Sequence, residues 1–132
     1  MDTKSIATHF TLGKHERLKS RKLIAQLFDN GKSVAAFPIR ALYSFTPTPS
    51  GLQAGFTVSS KNFKKAVDRN RIKRLMREAY RLQKKELEKK LVVVHKNLAI
   101  FFMYTGKELP DYKTCYEKMS LVLKAILNEC AS

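Results

Sequence analysis

The hydrophobic pattern near the start of the chain predicts one short amphipathic helix. The pairs Leu23–Leu27 and Ile24–Phe28 are four residues apart, so their side chains share one helical face. Ser20 precedes this pattern and is a suitable N-cap. Asn30-Gly31 follows it and is typical of a helix end. The segment between these signals is therefore predicted to be helical.

Alternating positions then predict two or three strands. From Phe37 to Phe45 every second residue is apolar, which places Ile39, Ala41 and Tyr43 on one side of a strand. A loop rich in Pro, Thr and Gly follows, and Leu52–Ser59 forms the second strand of a hairpin. Residues 34–36 are long enough to add a short strand before Pro38. The pattern thus indicates a small sheet after the first helix.

The second half of the chain alternates between helical and extended patterns. Residues 62–90 contain neither Gly nor Pro and place apolar side chains on one helical face, with Arg74, Arg77, Arg81 and Lys84 on the other. Residues 91–94 fit either an extension of this helix or a strand. Residues 97–105 form an apolar strand buried on both sides. Residues 111–129 form a last amphipathic helix whose core side includes Tyr112, Cys115, Tyr116, Met119, Val122, Leu123, Ile126 and Leu127.

This order of elements predicts an α+β fold, a single-domain sandwich in which helices pack on a small mixed sheet. Residues 1–15 carry little pattern and are expected to form a loosely ordered N-terminal arm. Residues 16–132 are expected to form one domain, since 132 residues suit a single core. No repeat and no linker divides the chain.

The charge changes this picture from an ordinary small domain to a binder of polyanions. The chain has 26 Lys and Arg against 11 Asp and Glu, a net charge of +15. Such a field attracts nucleic acid, acidic proteins or anionic lipid. The N-terminus lacks the apolar run of a signal peptide, and no apolar stretch is long enough to span a membrane. We therefore expect a cytoplasmic protein that does not span a membrane, and the bias towards arginine described below argues against a membrane partner.

The two cysteines are not expected to form a disulfide. Cys115 and Cys130 lie on the same predicted helix, where 15 residues correspond to roughly 22 Å. Two thiols in a reducing compartment are the simpler interpretation.

The basic residues are concentrated in one segment. Residues 61–90 hold 13 Lys and Arg but only four acidic residues. Arginine presents a planar fork that matches two phosphate oxygens, and a helix repeats such forks at each turn. The competing interpretation is a solvated helix face, but few carboxylates are present to relieve the repulsion. The segment therefore predicts a phosphate-binding helix.

Aromatic side chains near this segment allow two interpretations from the residues alone. Phe28 on the first helix and Tyr43 on the first long strand can stack on unpaired bases. An aromatic on an apolar helix face or a strand is more often part of the core. The residues by themselves favour the core.

The sequence lacks a recognisable catalytic constellation. Its three histidines are scattered without metal-ligand spacing, no carboxylate pair stands in a coherent motif, and the five glycines form no phosphate loop. We expect no metal and no cofactor bound by the protein itself.

The segment Ala66–Arg81, AVDRNRIKRLMREAYR, resembles the signature of the bacterial ribonuclease P protein family. Its hallmark, Arg-Asn-Arg followed by Ile-Lys-Arg, stands here at residues 69–74. Residues 17–34 are similar to the family's first helix, and residues 55–61 to the strand and basic loop before the signature. The resemblance spans roughly residues 17–130. It implies the order α-β-β-β-α-β-α with a left-handed β-α-β crossover, as in the second domain of ribosomal protein S5.

The resemblance also implies two binding surfaces. The signature helix and the preceding loop bind the catalytic RNA in the family, and the matching residues here are Lys61, Lys64, Lys65, Arg69, Asn70, Arg71 and Arg74. A cleft between the first helix and the sheet holds the single-stranded 5′ leader of precursor tRNA, and the matching residues are Phe28, Tyr43, Lys73 and Arg77. This implication favours RNA contact for the two aromatics.

Two positions depart from the family's pattern. Ile24 stands where an aromatic often occurs, so leader stacking is expected to depend on Phe28 and Tyr43 or to be weaker. Phe63 lies in an altered loop before the signature, where packing and RNA contact are both open.

The resemblance implies an accessory subunit of an endoribonuclease. Ribonuclease P RNA would supply the active site and bind Mg²⁺, and the protein, a monomer outside the ribonucleoprotein, would bind that RNA and precursor tRNA. Two alternatives remain at this point. One is a structural or ribosome-associated RNA-binding protein, and the other is a membrane-surface or acidic-protein binder built on a basic helix.

Overall fold

The computed structural model describes residues 17–18, 20–46 and 51–130. The elements in chain order are α1 (Arg21–Asn30), β1 (Lys32–Ala36), β2 (Ile39–Thr46), β3 (Leu52–Val58), α2 (Ala66–Gln83), α3 (Lys85–Val94), β4 (Asn97–Tyr104) and α4 (Tyr112–Cys130). The predicted α+β class is confirmed, including the short first strand. The predicted arm, residues 1–15, lies outside the described residues.

The four strands form one mixed sheet in the order β1-β2-β4-β3. The pairs β1–β2 and β2–β4 are antiparallel, whereas β3 and β4 are parallel neighbours. The predicted hairpin of β2 and β3 is therefore wrong, because β4 lies between these two strands. Parallel neighbours need a long crossover, which α2 and α3 provide. The left-handed sense of this crossover stays a prediction.

The sheet buries a different set of side chains on each face. On the α1 face, Leu18 and Leu27 pack with Leu42 of β2 and Ala99 of β4. The opposite face, here called the α2 face, packs against α2, α3 and α4 and holds most of the core. Its largest fully buried side chains include Tyr80, Phe102, Ile72, Met76, Ile100 and Met119.

Helix α1 has the predicted start and end. The Leu23 amide donates a hydrogen bond to Ser20 Oγ at 3.2 Å, as expected for an N-cap. Leu27 is completely buried, while Phe28 beside it is 57% exposed. Gly31 ends the helix in an extended conformation, with φ −71°, rather than a left-handed one.

The predicted helix over residues 62–90 is wrong in its bounds. It begins only at Ala66, because Phe63 turns into the core with 7% of its surface exposed. It is interrupted at Lys84, which was predicted on the exposed face. Lys84 is instead 2% exposed, with its ammonium 3.7 Å from Glu88 Oε2. Residues 91–94 belong to α3, which ends at His95 in a left-handed conformation with φ 56°.

Two further predictions of buried side chains are wrong. Phe37 lies in the turn before β2 and is 72% exposed, so it does not share the buried side of that strand. Tyr112 and Tyr116 lie at the margin of α4 rather than in the core, and their ring centroids are 5.9 Å apart. Cys115 and Cys130 are buried free thiols, and burial raises the pKa of Cys115 to about 11.

Gly55 lies where β3 meets the segment before α1. A Cβ at this position would come within 2.9 Å of Phe101 Cδ1 and 3.3 Å of the Leu18 carbonyl oxygen. We expect Gly55→Ala to reduce the free energy of unfolding by about 1–3 kcal/mol, since overpacking forces neighbours to move. Urea denaturation measures this change.

A double-mutant cycle tests whether the Phe101 ring causes that cost. Adding Phe101→Leu should recover part of the stability lost in Gly55→Ala, because the smaller side chain leaves room for the methyl group. Strictly additive effects of the two substitutions would contradict this explanation.

Candidate RNA-binding surface

The loop between β3 and α2 presents three lysines on a fixed backbone. Phe63 anchors the loop, with its ring centroid 5.9 Å from that of Tyr104. The Phe63 amide donates to the Ser59 carbonyl at 3.1 Å. Lys61, Lys64 and Lys65 are exposed around this anchor. The structure therefore places Phe63 in packing, which decides the question that the sequence left open.

Arg69 stabilises the same loop from the first turn of α2. Its Nη1 donates hydrogen bonds to the carbonyl oxygens of Phe63 at 2.7 Å and of Lys64 at 2.9 Å. The first residue of the Arg-Asn-Arg signature is thus already engaged with the backbone. Its contribution to a binding surface is to hold Lys64 and Lys65 in place.

The next signature residues point away from the protein. Asn70, Arg71 and Arg74 are exposed, because Ile72 and Met76 occupy the buried side of the helix. Among the described residues, no carboxylate forms an ion pair with Arg71 or Arg74. Glu78, four residues after Arg74, pairs with Arg81 instead, with 2.9 Å between Arg81 Nε and Glu78 Oε2. Both guanidinium groups are available for phosphate oxygens.

The amino end of α2 adds to this positive surface. It has no side-chain cap, and its N-cap position is Lys65. Uncapped amides and the helix dipole favour anions at such an end. We call Lys61, Lys64, Lys65, Asn70, Arg71 and Arg74 together the signature surface.

Lys73 and Arg77 lie one turn apart on the flank of α2 that faces β3. The Arg77 guanidinium carbon is 5.8 Å from the centroid of the Phe56 ring. Burial lowers the pKa of Arg77, and the positive charges of Arg17 and Arg74 lower it further. Lys73 is half-buried on the same flank. These two residues therefore lie beside the α2 face of the sheet.

Phe28 lies on the opposite side of the sheet. Its ring meets that of Phe101 edge-on, with 5.7 Å between the centroids. Phe101 and Met103 of β4 are half-buried next to α1. This exposed aromatic beside half-buried apolar side chains is a surface on which an unpaired base could stack.

Tyr43 does not lie beside Phe28. It points to the α2 face, where it is 6% exposed in the main core. Burial raises the pKa of Tyr43, as does the charge of Glu129 at the end of α4. Side chains alternate along a strand, so the residue of β2 that faces α1 is Leu42. The predicted cleft of Phe28, Tyr43, Lys73 and Arg77 is thus divided between the two faces.

Leu42 and Phe101 are the residues that sequence reasoning missed on the α1 face. The alternation in β2 already separated Leu42 from Tyr43, but it could not show which side meets α1. Phe101 lies within an apolar run that gives no sign of its partial exposure.

The described part of the chain contains no cluster of side chains suited to bind a metal ion. Within residues 17–18, 20–46 and 51–130, no three His, Cys, Asp or Glu side chains come together as metal ligands. In the same ranges, no helix combines the length and hydrophobicity needed to cross a membrane.

Sequence comparisons with known proteins identify the family of this chain. A sequence profile of the family described as Ribonuclease P matches residues 12–122. The chain belongs to the ribonuclease P protein family. The ribonuclease P protein component of Porphyromonas gingivalis is 38% identical over 125 residues, covering 93% of this chain and 91% of the relative. That of Chlorobium phaeobacteroides is 34% identical, covering 88% of each.

Solved structures give the same result at the level of the fold. The RNase P protein of Thermotoga maritima superimposes with a TM-score of 0.66 at 29% identity, covering 83% of this chain and 96% of that protein. The Staphylococcus aureus protein gives 0.68 at 22% identity, which supports the fold alone. Family membership makes this chain an RNA-binding component of ribonuclease P that acts in tRNA processing.

Proposed function

We propose that the chain binds the catalytic RNA of ribonuclease P through the signature surface and assists removal of the 5′ leader from precursor tRNA. The observation that carries this proposal is the rigid presentation of Arg71 and Arg74 beside a lysine loop held by Arg69. These cations have no described carboxylate partner, and a phosphate backbone can supply the missing charge.

The second part of the proposal concerns the leader. Phe28 offers an exposed ring on the α1 face, with its edge against the ring of Phe101. Single-stranded RNA binds to such surfaces by stacking its bases on aromatic rings. Tyr43 is not part of this surface, because it is enclosed by the core on the other face of the sheet.

Hydrolysis is assigned to the RNA partner. The Mg²⁺ that activates water would be bound by RNA phosphates, as the resemblance to the family implies. The protein contributes by neutralising phosphates, which lowers the salt and metal concentrations needed for assembly. We also propose a cytoplasmic location, and the two buried free thiols fit a reducing compartment.

Reconstitution tests the whole proposal. The protein is added to a bacterial ribonuclease P RNA at low Mg²⁺ with a 5′-labelled precursor tRNA. We expect cleavage at the mature 5′ end that depends on both components. RNA binding without any stimulation of cleavage would overturn the proposal and leave a structural RNA-binding protein.

Phe28→Ala should weaken binding of substrates that carry a leader and leave assembly with the catalytic RNA unchanged. Loss of one stacked base costs about 1–3 kcal/mol, or roughly 5- to 150-fold in affinity. The measurement compares precursor tRNA with mature tRNA on the reconstituted holoenzyme.

Leu121→Ala is the matched control for this experiment. Leu121 is also an exposed apolar residue, 53% accessible, but it lies on α4 away from both proposed surfaces. The holoenzyme with Leu121→Ala should bind precursor tRNA and mature tRNA with wild-type affinity. An equal loss for mature tRNA in Phe28→Ala would show that Phe28 does not act on the leader.

A further inference from the structure

The segment before α1 is attached to the free edge of the sheet. Arg17 pairs with Ala54 of β3 as a parallel bridge, and the Leu18 amide donates to the Ala54 carbonyl at 2.9 Å. β3 is one of the two edge strands of the sheet, so residues 17–18 lie along the edge that is nearer to α2.

The bridge also fixes the direction in which Arg17 points. Leu18 packs on the α1 face with Leu27 and Leu42, where it is 6% exposed. Successive side chains of an extended segment point to opposite sides. Arg17 therefore points to the α2 face, on the same side as its partner Ala54, and it remains exposed.

On that side Arg17 lies near two arginines of α2. Arg77 lies over the ring of Phe56, which follows Ala54 by two residues on the same face of β3. The charges of Arg17 and Arg74 are both close enough to lower the pKa of Arg77. Three guanidinium groups thus converge from two separate segments of the chain.

The described residues supply no negative charge to this cluster. No described carboxylate forms an ion pair with Arg17, Arg74 or Arg77. Glu78 is engaged with Arg81, on the same helix. The Phe56 ring holds the Arg77 guanidinium through a cation–π contact, which leaves the edges of its planar fork free to donate.

We propose that Arg17, Arg74 and Arg77 form a phosphate-binding site at the edge of β3, and that Arg17 is an additional RNA-binding residue. This inference rests on the proposed function and extends it to a residue outside the signature helix. The site takes consecutive phosphates of an RNA backbone, which match the forks of neighbouring arginines and relieve their repulsion. The RNA is either the catalytic RNA or the leader of the substrate.

Arg17→Ala tests the site, with Arg21→Ala as the matched control. Arg21 is also an exposed arginine, four residues away at the start of α1 and outside the cluster. Both variants lose one positive charge, so a difference between their RNA affinities reflects the position of the arginine that was replaced. The bridge to Ala54 uses backbone atoms, and both proteins should retain the wild-type unfolding midpoint.

Two titrations are compared across a range of salt concentrations. One measures the catalytic RNA binding to the protein, and the other measures precursor and mature tRNA binding to the holoenzyme. We expect Arg17→Ala to lower the affinity about tenfold in one of the two titrations. In that titration the slope of log affinity against log salt concentration should become shallower by about one, and Arg21→Ala should change both quantities much less. A loss in the first titration assigns the phosphates to the catalytic RNA, and a loss confined to precursor tRNA assigns them to the leader.

Combination with Arg77→Ala provides a second readout. If Arg17 and Arg77 share one phosphate site, the double variant should lose less binding free energy than the sum of the losses in the two single variants. Wild-type RNA binding with no difference between Arg17→Ala and Arg21→Ala would overturn the site and leave the proposed function intact. Failure of the wild-type protein to bind RNA would overturn the proposed function itself.

Discussion

Replacing Arg71 and Arg74 together by alanine is expected to weaken binding of the catalytic RNA by roughly 100-fold or more, at about 1.5 kcal/mol for each charged contact. Both side chains are exposed and have no described carboxylate partner, so their removal breaks no intramolecular ion pair. The slope of log affinity against log salt should become shallower by about two, since two phosphate contacts are lost. Filter binding at several salt concentrations measures both quantities.

The control for this double variant is Lys113→Ala with Lys124→Ala. Both lysines are exposed on α4, and their removal lowers the net charge by the same two units. This control should change the affinity only slightly, because a distant surface charge is screened by salt. Equal losses in the two double variants would show that overall charge, and not the signature surface, governs binding.

Arg69 should behave differently from its neighbour Arg71. Removing Arg69 leaves the carbonyl oxygens of Phe63 and Lys64 without their donor, so part of its effect appears as lost stability of the loop. For this reason Arg71 and Arg74 are the better pair for isolating phosphate binding, although all three belong to the family's signature.

Phe102→Ala is expected to lower the free energy of unfolding by about 3–5 kcal/mol. Phe102 is completely buried in β4, between Ala41 of β2 and Phe56 of β3. Its ring stacks on Phe56 with a centroid distance of 5.2 Å and lies 5.3 Å from Tyr80 of α2. Alanine would leave a cavity where the sheet and α2 meet.

Urea denaturation of Phe102→Ala and Phe28→Ala gives the comparison. The two variants lose the same atoms, but Phe28 is 57% exposed and should cost less than about 1 kcal/mol. Small proteins are stable by only about 5–15 kcal/mol, so Phe102→Ala should also lose RNA binding near its lower melting temperature. A cost similar to that of Phe28→Ala would mean that the aromatic cluster does not hold α2 on the sheet.

The sequence by itself determined the order of the elements and the identity of the basic helix. Apolar residues spaced at 3.6 and 2 positions distinguish helix from strand without reference to distant contacts. The cap at Ser20 was likewise predicted from the type of residue that precedes the helical pattern of α1. The concentration of arginines between residues 69 and 81 is likewise a local property. These features needed only neighbouring residues in the chain.

The tertiary structure alone decided which side of each element meets which neighbour. Alternation separates Leu42 from Tyr43, but only the packing of α1 shows that Leu42 lies with Leu27 beneath α1 and that Tyr43 is in the core on the other face. The same holds for Arg69, whose hydrogen bonds depend on how the loop folds around Phe63. Arg17 joins Arg77 only because a hydrogen-bonded bridge attaches it to β3. A one-dimensional pattern fixes the periodicity of side chains, whereas long-range pairing fixes their direction and partners.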